Sequence, residues 1–372
     1  MTLRVAIIGA GAAGLACAVE LQRHGLVPEL FEQRARVGEL FPHVAGTLQL
    51  FNRPVRDQLL YLREELGLSL TPLAPMRRIL MKTPHRTREV RGRLGYFFLR
   101  GQDPDSLENQ LRSAVTSPIH FNTRADHRYL ARRYDHVVVA TGNNEVPAAL
   151  GCWQPLMKAV VRGAVVLGDF DPYTIVMWVN TQYAKGGYAY LTPFSARRAS
   201  LVLNVPDAQP AAADYYWATF WRVENLRYQV MEDFVLEHYF GYVYPHRVGN
   251  VLLAGIAGGF METFLGFGLL GAVRSGVLAA RAVATGRDYE ELVKPLCREM
   301  HQTLVFREWL NRATNRDVDL LVRVITSPGL RQLIYNTNLQ WLKWTSRSMT
   351  LWRRTADRLR RLRGGRYSGA GP

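Results

Sequence analysis

The hydrophobic pattern is clearest at the start of the chain. "RVAIIG" is a short apolar run that reads as a buried strand, and "AAGLACAVELQRHG" continues it with apolar residues at helical spacing up to Gly25. A second apolar run ends at Phe31-Glu32. Strand, tight turn, helix and strand in this order predict half of a parallel, doubly wound sheet. Further on, "RPVRDQLLYLREELG" predicts a helix over 53–67, and "DPDSLENQLRSAV" another, with Asp103 or Asp105 as N-cap. "YDHVVVATG" predicts a short buried strand ending in a turn. Between about 160 and 206, "GAVVLGDF", "TIVMWVN", "GYAYLTPF" and "ASLVLNV" predict the strands of a mixed β region. "YYWATFWRVENLRYQVMEDFVLEHYF" then predicts one long helix. From Asp288 onward the pattern is helical, broken near Pro328–Gly329, and no internal repeat is present.

One stretch departs from these patterns. "VLLAGIAGGFMETFLGFGLLGAV", Val251 to Val273, is long enough to cross a bilayer and carries a single formal charge, Glu262. It also holds six glycines, each costing up to about 1 kcal/mol of helix propensity. The better reading is a strand over Val251–Ala254, then glycines at 255, 258, 259, 266 and 268 that let backbone amides approach a bound molecule, then a helix over Leu269–Ala284.

Composition narrows the picture. With 372 residues, two or three domains are expected, and 48% hydrophobic with 21% charged residues indicates a globular chain. Cys17, Cys152 and Cys297 are far apart and lack ligand spacing, so neither a disulfide framework nor a metal site is expected. No signal peptide is read, and a cytoplasmic setting is expected. The net charge of +16 is concentrated at the end: Lys343 to Arg366 holds nine Lys/Arg against Asp357. Trp341, Trp344, Met349, Trp352, Leu359 and Leu362 interleave with those charges, so 340–366 fits either a helix docked on the domain or peripheral contact with the inner face of a membrane. No nucleic-acid module accompanies it, and nucleic acid is not the expected partner.

The candidate chemistry begins at Gly9-Ala10-Gly11-Ala12-Ala13-Gly14, a GxGxxG between a predicted strand and helix. The first glycine permits the turn, the second lets a pyrophosphate near the backbone, and the third lets helix and strand pack closely. Glu32 arrives about twenty residues later, placed to accept from a ribose hydroxyl, and an acid there disfavours a 2′-phosphate. FAD or NAD therefore fits better than NADP. Three features favour FAD. Gln33, Arg34 and Gly38 sit in a turn that resembles the Glu-x5-Gly turn of flavoproteins, "YDHVVVATG" resembles their ATG strand (Ala140, Thr141, Gly142), and the glycine-rich stretch supplies a second cofactor motif.

"NVLLAGIAGGFMETFLGFGLLGAVRSGVLAARAV" closely resembles the second FAD motif of flavoproteins of the para-hydroxybenzoate hydroxylase fold, and within them the geranylgeranyl reductases. "GYAYLTPFSARRASLVLNV" is similar to the YxWxFP stretch of their substrate domain, with Tyr188, Tyr190, Pro193 and Phe194 at the matching positions. The resemblance implies an α/β FAD-binding domain over 1–52, 100–160 and 245–287, and an antiparallel substrate domain over 53–99 and 161–244. A helical region over 288–372 would complete the chain. It adds Arg100, Gly255, Ile256, Gly266, Phe267 and Gly268 to the cofactor contacts. It also implies flavin-mediated reduction of a carbon–carbon bond in a hydrophobic isoprenoid or lipid-like substrate. Tyr188 and Tyr190 share one face of a strand and are the candidate catalytic pair. Ile256 stands where the family has an aspartate toward the ribityl chain, with Asn250 and Glu262 as nearby polar replacements. Thr141 likewise breaks the Asp-Gly motif of the hydroxylases. A flavin monooxygenase or halogenase, or a non-catalytic flavin-binding protein, are the alternatives. No second GxGxxG occurs between Gly142 and Asn250, so neither a separate nicotinamide domain nor a disulfide reductase is expected. The electron donor is left open among a reductase, a ferredoxin and NAD(P)H.

Overall fold

The computed structural model describes residues 3–38, 41–337 and 339–340. The basic segment from 341 to 366, with the membrane contact or docked helix expected of it, lies outside the described residues. In chain order the first elements are β1 (Val5–Ile8), α1 (Ala12–Arg23), β2 (Glu29–Phe31), β3 (His43–Leu48), α2 (Gln58–Glu64), β4 (Ala74–Thr83) and β5 (Arg86–Arg100). Next come α3 (Leu107–Ser113), β6 (Ile119–His120), α4 (His127–Ala131), β7 (His136–Val139), α5 (Glu145–Ala149), β8 (Trp153–Leu167) and β9 (Thr174–Trp178). They are followed by α6 (Thr181–Ala184), β10 (Tyr188–Pro193), β11 (Arg198–Pro206), α7 (Ala213–Val223), β12 (Gln229–Val243), β13 (Arg247–Val248) and β14 (Val251–Leu253). Four helices finish the fold: α8 (Leu269–Thr285), α9 (Tyr289–Arg312), α10 (Asn315–Ile325) and α11 (Pro328–Asn336).

The strands form two sheets. One has six strands in the order β13-β14-β7-β1-β2-β6, parallel apart from the β13–β14 hairpin. Its central strands are apolar at every position but His136, the first of β7, because α1 and α8 cover one face and α4 and α5 flank the other. The other has eight strands, β12-β8-β11-β10-β9-β4-β5-β3, antiparallel except where β4 runs alongside β9. Helix α7 covers one of its faces through Phe220 and Trp217, and α10 covers part of the other through Val318 and Val322. The expected boundaries gave 43–52 and 153–160 to the nucleotide-binding part, whereas β3 and the whole of β8 pair in the eight-stranded sheet.

The predicted long helix over 215–240 divides in two. Helix α7 stops at Val223, Asn225 turns the chain at φ 49°, and from Gln229 the backbone is strand β12, paired along its length with β8. Here strand pairing overrides a composition suited to helix, since "FVLEHYF" alternates and finds a partner edge. Helix α2 begins only at Gln58, because Asp57 caps it by accepting from the Leu59 and Leu60 amides at 2.9 and 3.1 Å. Ser106, not Asp103 or Asp105, caps α3 by accepting from the Asn109 amide at 3.3 Å. The glycine-rich stretch resolves as read, with β14, a short 3-10 turn over Gly255–Gly258 and α8 from Leu269.

Candidate functional site

Three parallel strands bring three loops to one crevice. Strands β1, β7 and β14 are neighbours in register, and their C-terminal ends pass directly into Gly9, Ala140 and Ala254. The Ala140 amide donates to Ile8 O at 2.8 Å and the Ala254 amide to Val139 O at 2.9 Å, which fixes the three loops side by side. Ligands of open parallel sheets bind at this end of the strands. A cleft of about 620 Å³ lies there, walled on one side by Gly9, Gly11 and Glu32 and on the other by Thr141, Gly142 and Gly255.

The cleft has the features a dinucleotide requires. A Cβ at Gly11 or at Gly142 would point into open space, so a pyrophosphate can lie against the backbone at both points. Helix α1 starts at Ala12 with no side-chain cap and no acid in its first turn, which leaves its first amides and its positive dipole end facing the cleft. Glu32 is braced for a ribose: its carboxylate accepts from the Ala10 amide and from the Arg34 amide, each at 2.9 Å. Arg34 in turn donates to Gly38 O at 3.2 Å. Gln33, Ala12, Ala13, Ala140 and Ile256 complete the wall. Gly14 does not line the cleft. It packs beneath, where a Cβ would come within 1.9 Å of Gly9 O.

The glycine-rich stretch is held against the first loop by helix packing. Helix α8 crosses α1 so closely that a Cβ at Gly276 would stand 2.1 Å from Ala13 O. The two cofactor motifs, 240 residues apart in sequence, therefore share one contact surface. Ser275 fixes the turn by accepting from the Gly255 amide at 2.9 Å.

Beside Ile256 the cleft adjoins an inner chamber of about 200 Å³. Ala12, Phe41, Arg100, Leu236, His238 and Ile256 line both spaces, so the two are neighbours with a common wall. Arg100 is nearly buried, and its Nε donates to Glu108 Oε1 at 2.5 Å. Gly266, Phe267 and Gly268, just ahead of α8, form one wall of the chamber, and alternate residues of the eight-stranded sheet form the other. These include Tyr188 and Tyr190 of β10, whose rings lie 5.8 Å apart. Burial, with Tyr190 close by, pushes the Tyr188 phenol well above its ordinary range. Its hydroxyl donates to Leu265 O, a residue of the loop that also lines the chamber. Both tyrosines stand on the chamber wall.

Neither Asn250 nor Glu262 replaces the missing carboxylate beside Ile256. The Asn250 side-chain Nδ2 donates to Ala131 O and Tyr134 O, at 2.9 and 3.0 Å, at the opposite end of β14. Glu262 folds under its own loop, where its carboxylate accepts from the Phe264, Leu265 and Phe267 amides at 2.8, 2.7 and 3.0 Å. It is a scaffold for the chamber wall. Burial outweighs those hydrogen bonds and the nearby Arg307 cation, and pushes its carboxyl up to about 7.

His238 reaches the wall shared by cleft and chamber, a place that a helical reading of 215–240 hides. On strand β12 it shares a face with Phe234, Leu236 and Phe240, and that period of two was the available signal. Asn204 was also missed. It pairs across from Tyr188, and its Oδ1 is buried at the chamber without a hydrogen-bond partner among the described residues. His246, by contrast, is a core residue, stacked on Phe260 with Nδ1 2.9 Å from Glu290. An arginine-lined surface cleft over β4 and β5, around Arg56, Arg77 and Arg93, shares no lining residue with either space.

Comparison with known proteins bears on the fold. A family model described as an NAD(P)-binding Rossmann-like domain matches residues 7–45. A Mycobacterium tuberculosis protein named as a flavin-containing monoamine oxidase is 38% identical over 106 residues, 27% of this chain and 23% of its own length. Among solved structures, a geranylgeranyl bacteriochlorophyll reductase-like protein from Thermoplasma acidophilum superimposes with a TM-score of 0.69 at 15% identity, covering 94% of this chain and 99% of that one. A flavin-dependent brominase gives 0.62 at 14% identity, over 97% and 100% of the two chains. Aklavinone-11 hydroxylase, in complex with FAD and aklavinone, gives 0.60 at 16%, over 82% and 69%. The chain has the fold of the FAD-dependent oxidoreductases.

Proposed function

We propose that the protein binds FAD across the cleft and the inner chamber, and that it is an oxidoreductase acting on carbon–carbon bonds of a hydrophobic isoprenoid or lipid-like substrate. The observation that carries this reading is adjacency. The cleft at the GxGxxG loop and Glu32 and the chamber at the glycines ahead of α8 share a wall that includes Ala12, Ile256 and His238, and the chamber is walled further by Phe234, Leu236, Phe240, Ile175 and Met177. Bound FAD supplies the electron transfer to or from the substrate. The first turn of α1 and the backbone at Gly11 would hold the pyrophosphate, Glu32 the adenosine ribose, and the Gly266–Gly268 loop the isoalloxazine edge. The apolar face of the eight-stranded sheet excludes water and fits a substrate with few polar groups. Tyr190 and His238 are our candidate proton donors among the chamber residues, which also include His43 and Tyr188, and Asn204 Oδ1, unpaired among the described residues, is an acceptor for orienting a substrate hydroxyl or the cofactor. Basic tail 340–366 would bring the chamber to a membrane where such substrates reside.

The test is anaerobic. The purified chain is loaded with FAD, reduced, and mixed with a panel of polyprenyl and aromatic compounds while flavin reoxidation is followed. Reoxidation by an unsaturated polyprenyl compound, with the saturated product recovered, is expected. A colourless protein that takes up no FAD contradicts the reading. No anaerobic reoxidation, with a hydroxylated or halogenated aromatic formed once oxygen is admitted to a parallel sample, replaces it with the monooxygenase or halogenase alternative.

A further inference from the structure

The surface cleft over β4 and β5 has a volume of about 730 Å³, and Arg56, Arg77, Arg78, Arg91 and Arg93 all line it. Strand geometry gathers four of them. Neighbouring residues of a regular strand point to opposite faces, but the β4–β5 ladder is irregular between Met76 and Arg78. There the Arg77 and Arg78 amides both donate to Tyr173 O, at 2.9 and 3.2 Å, and both side chains line the one cleft. Across the ladder Arg78 stands directly opposite Arg91, a like-charge pairing that is unfavourable by itself. Carboxylates offset only part of this charge. Glu89 reaches Arg78 at 2.7 Å and Arg91 at 3.0 Å and holds both in place. Asp57 caps α2 and accepts from the Tyr96 hydroxyl at 2.7 Å, so Arg93 approaches it only to 3.5 Å and stays 93% exposed. Asp171 is engaged by its own turn, accepting from the Tyr173 amide at 3.0 Å and the Thr174 hydroxyl at 2.6 Å. Arg56 and Arg77 form no ion pair among the described residues, and the Arg77 Cζ lies 4.9 Å from the centre of the Tyr173 ring.

We propose that this cleft is a second ligand site, taking a phosphate or diphosphate group that is either free or the headgroup of a lipid. Guanidinium forks bond two oxygens of one phosphate at once, and the residues of the cleft that bring the positive charge are all arginine. Arg56, Arg77 and Arg93 carry the donors that the fold leaves loosely engaged, and the Glu89-held pair Arg78 and Arg91 supplies a fixed positive wall between them. A group of two or more negative charges answers several of these cations together, whereas a monoanion answers one. The cleft shares no lining residue with the proposed FAD site, so this inference stands apart from the flavoenzyme reading.

The test is a calorimetric titration of inorganic pyrophosphate into the full chain saturated with FAD, so that the GxGxxG loop is already occupied. Saturable binding of one pyrophosphate per chain is expected, with acetate at the same concentration giving no binding heat. Arg77→Gln and Arg93→Gln should each weaken it at least about ten-fold with FAD content and thermal transition unchanged. Arg56→Gln stands in if either variant loses that transition. A chain with Arg358, Arg360, Arg361 and Arg363 changed to Gln should bind as the wild type does, which separates the cleft from the basic tail. In that tail variant, co-sedimentation with phosphatidylcholine vesicles containing phosphatidic acid, lost on adding Arg77→Gln, assigns the group to a lipid headgroup. Pyrophosphate binding without such co-sedimentation assigns it to a free ligand. No binding in either arm, binding that survives Arg77→Gln and Arg93→Gln together, or binding lost with the tail charges alone overturns the inference. If the chain takes up no FAD, the flavoenzyme reading fails, and the same titration on Gly11→Val still decides this one.

Discussion

The two ends of the proposed FAD site are built on different principles. At the adenosine end the contacts come from backbone: a loop of glycines, the first turn of α1, and a carboxylate whose position is set by two amides. At the inner chamber they come from side chains on alternate positions of five or more strands, backed by a loop that Glu262 props up from below. Backbone recognition tolerates little, because a single Cβ occupies the ligand's place. Side-chain recognition tolerates exchange, because its neighbours share the wall. The first end therefore determines whether a cofactor binds, and the second what is done with it.

Substitutions that separate the two ends sharpen the contrast. The largest effect is expected from Gly11→Val. Gly11 has φ −86°, which valine can adopt, and its Cβ would meet no protein atom. Stability of the FAD-free protein should stay within about 1 kcal/mol, while FAD affinity falls by two or more orders of magnitude; calorimetry and a flavin titration report the pair. An equal loss of both would show that the loop is only structural. Next come Tyr190→Phe and His238→Asn, each expected to slow flavin reoxidation by substrate about ten-fold or more with FAD content unchanged. If neither slows it, the proton comes from elsewhere.

A smaller effect is expected from Glu262. Its carboxyl rises from 4.5 in the unfolded chain to about 7 in the fold, so the folded state holds the extra proton between those values. The stabilisation is complete below 4.5 and is lost as pH rises through about 7, by at most about 3 kcal/mol. Relative to Glu262→Gln, the wild-type chain should lose thermal stability between pH 5 and 8. Parallel curves for the two would show that Glu262 is ionised throughout.

The same division governs what was legible in the sequence. The adenosine end could be read nearly residue by residue because GxGxxG, Glu32, the ATG turn and the glycine-rich stretch are local signals whose chemistry is fixed by spacing. The inner chamber was legible in part. Tyr188 and Tyr190 were found from a single strand's alternation, but His238 and Asn204 become neighbours only when β12, β8, β11 and β10 pair in that order. The aromatic run around Trp217 and Trp221 extended a helix over residues that belong to β12, and one wrong period concealed the place of His238 on the wall. Glu262 was noticed for its charge but misjudged in role, because nothing local shows that three amides of its own loop close over it.

The central claim is that one cofactor is held at both ends at once. The most direct measurement compares FAD with FMN, which lacks the adenosine half, by quenching of flavin fluorescence in the wild-type chain and in Gly11→Val. The account expects one FAD per chain, much weaker FMN binding, and a Gly11→Val variant whose FAD affinity drops to that of FMN. Equal affinity for FAD and FMN in the wild-type chain, or no uptake of either, would contradict it.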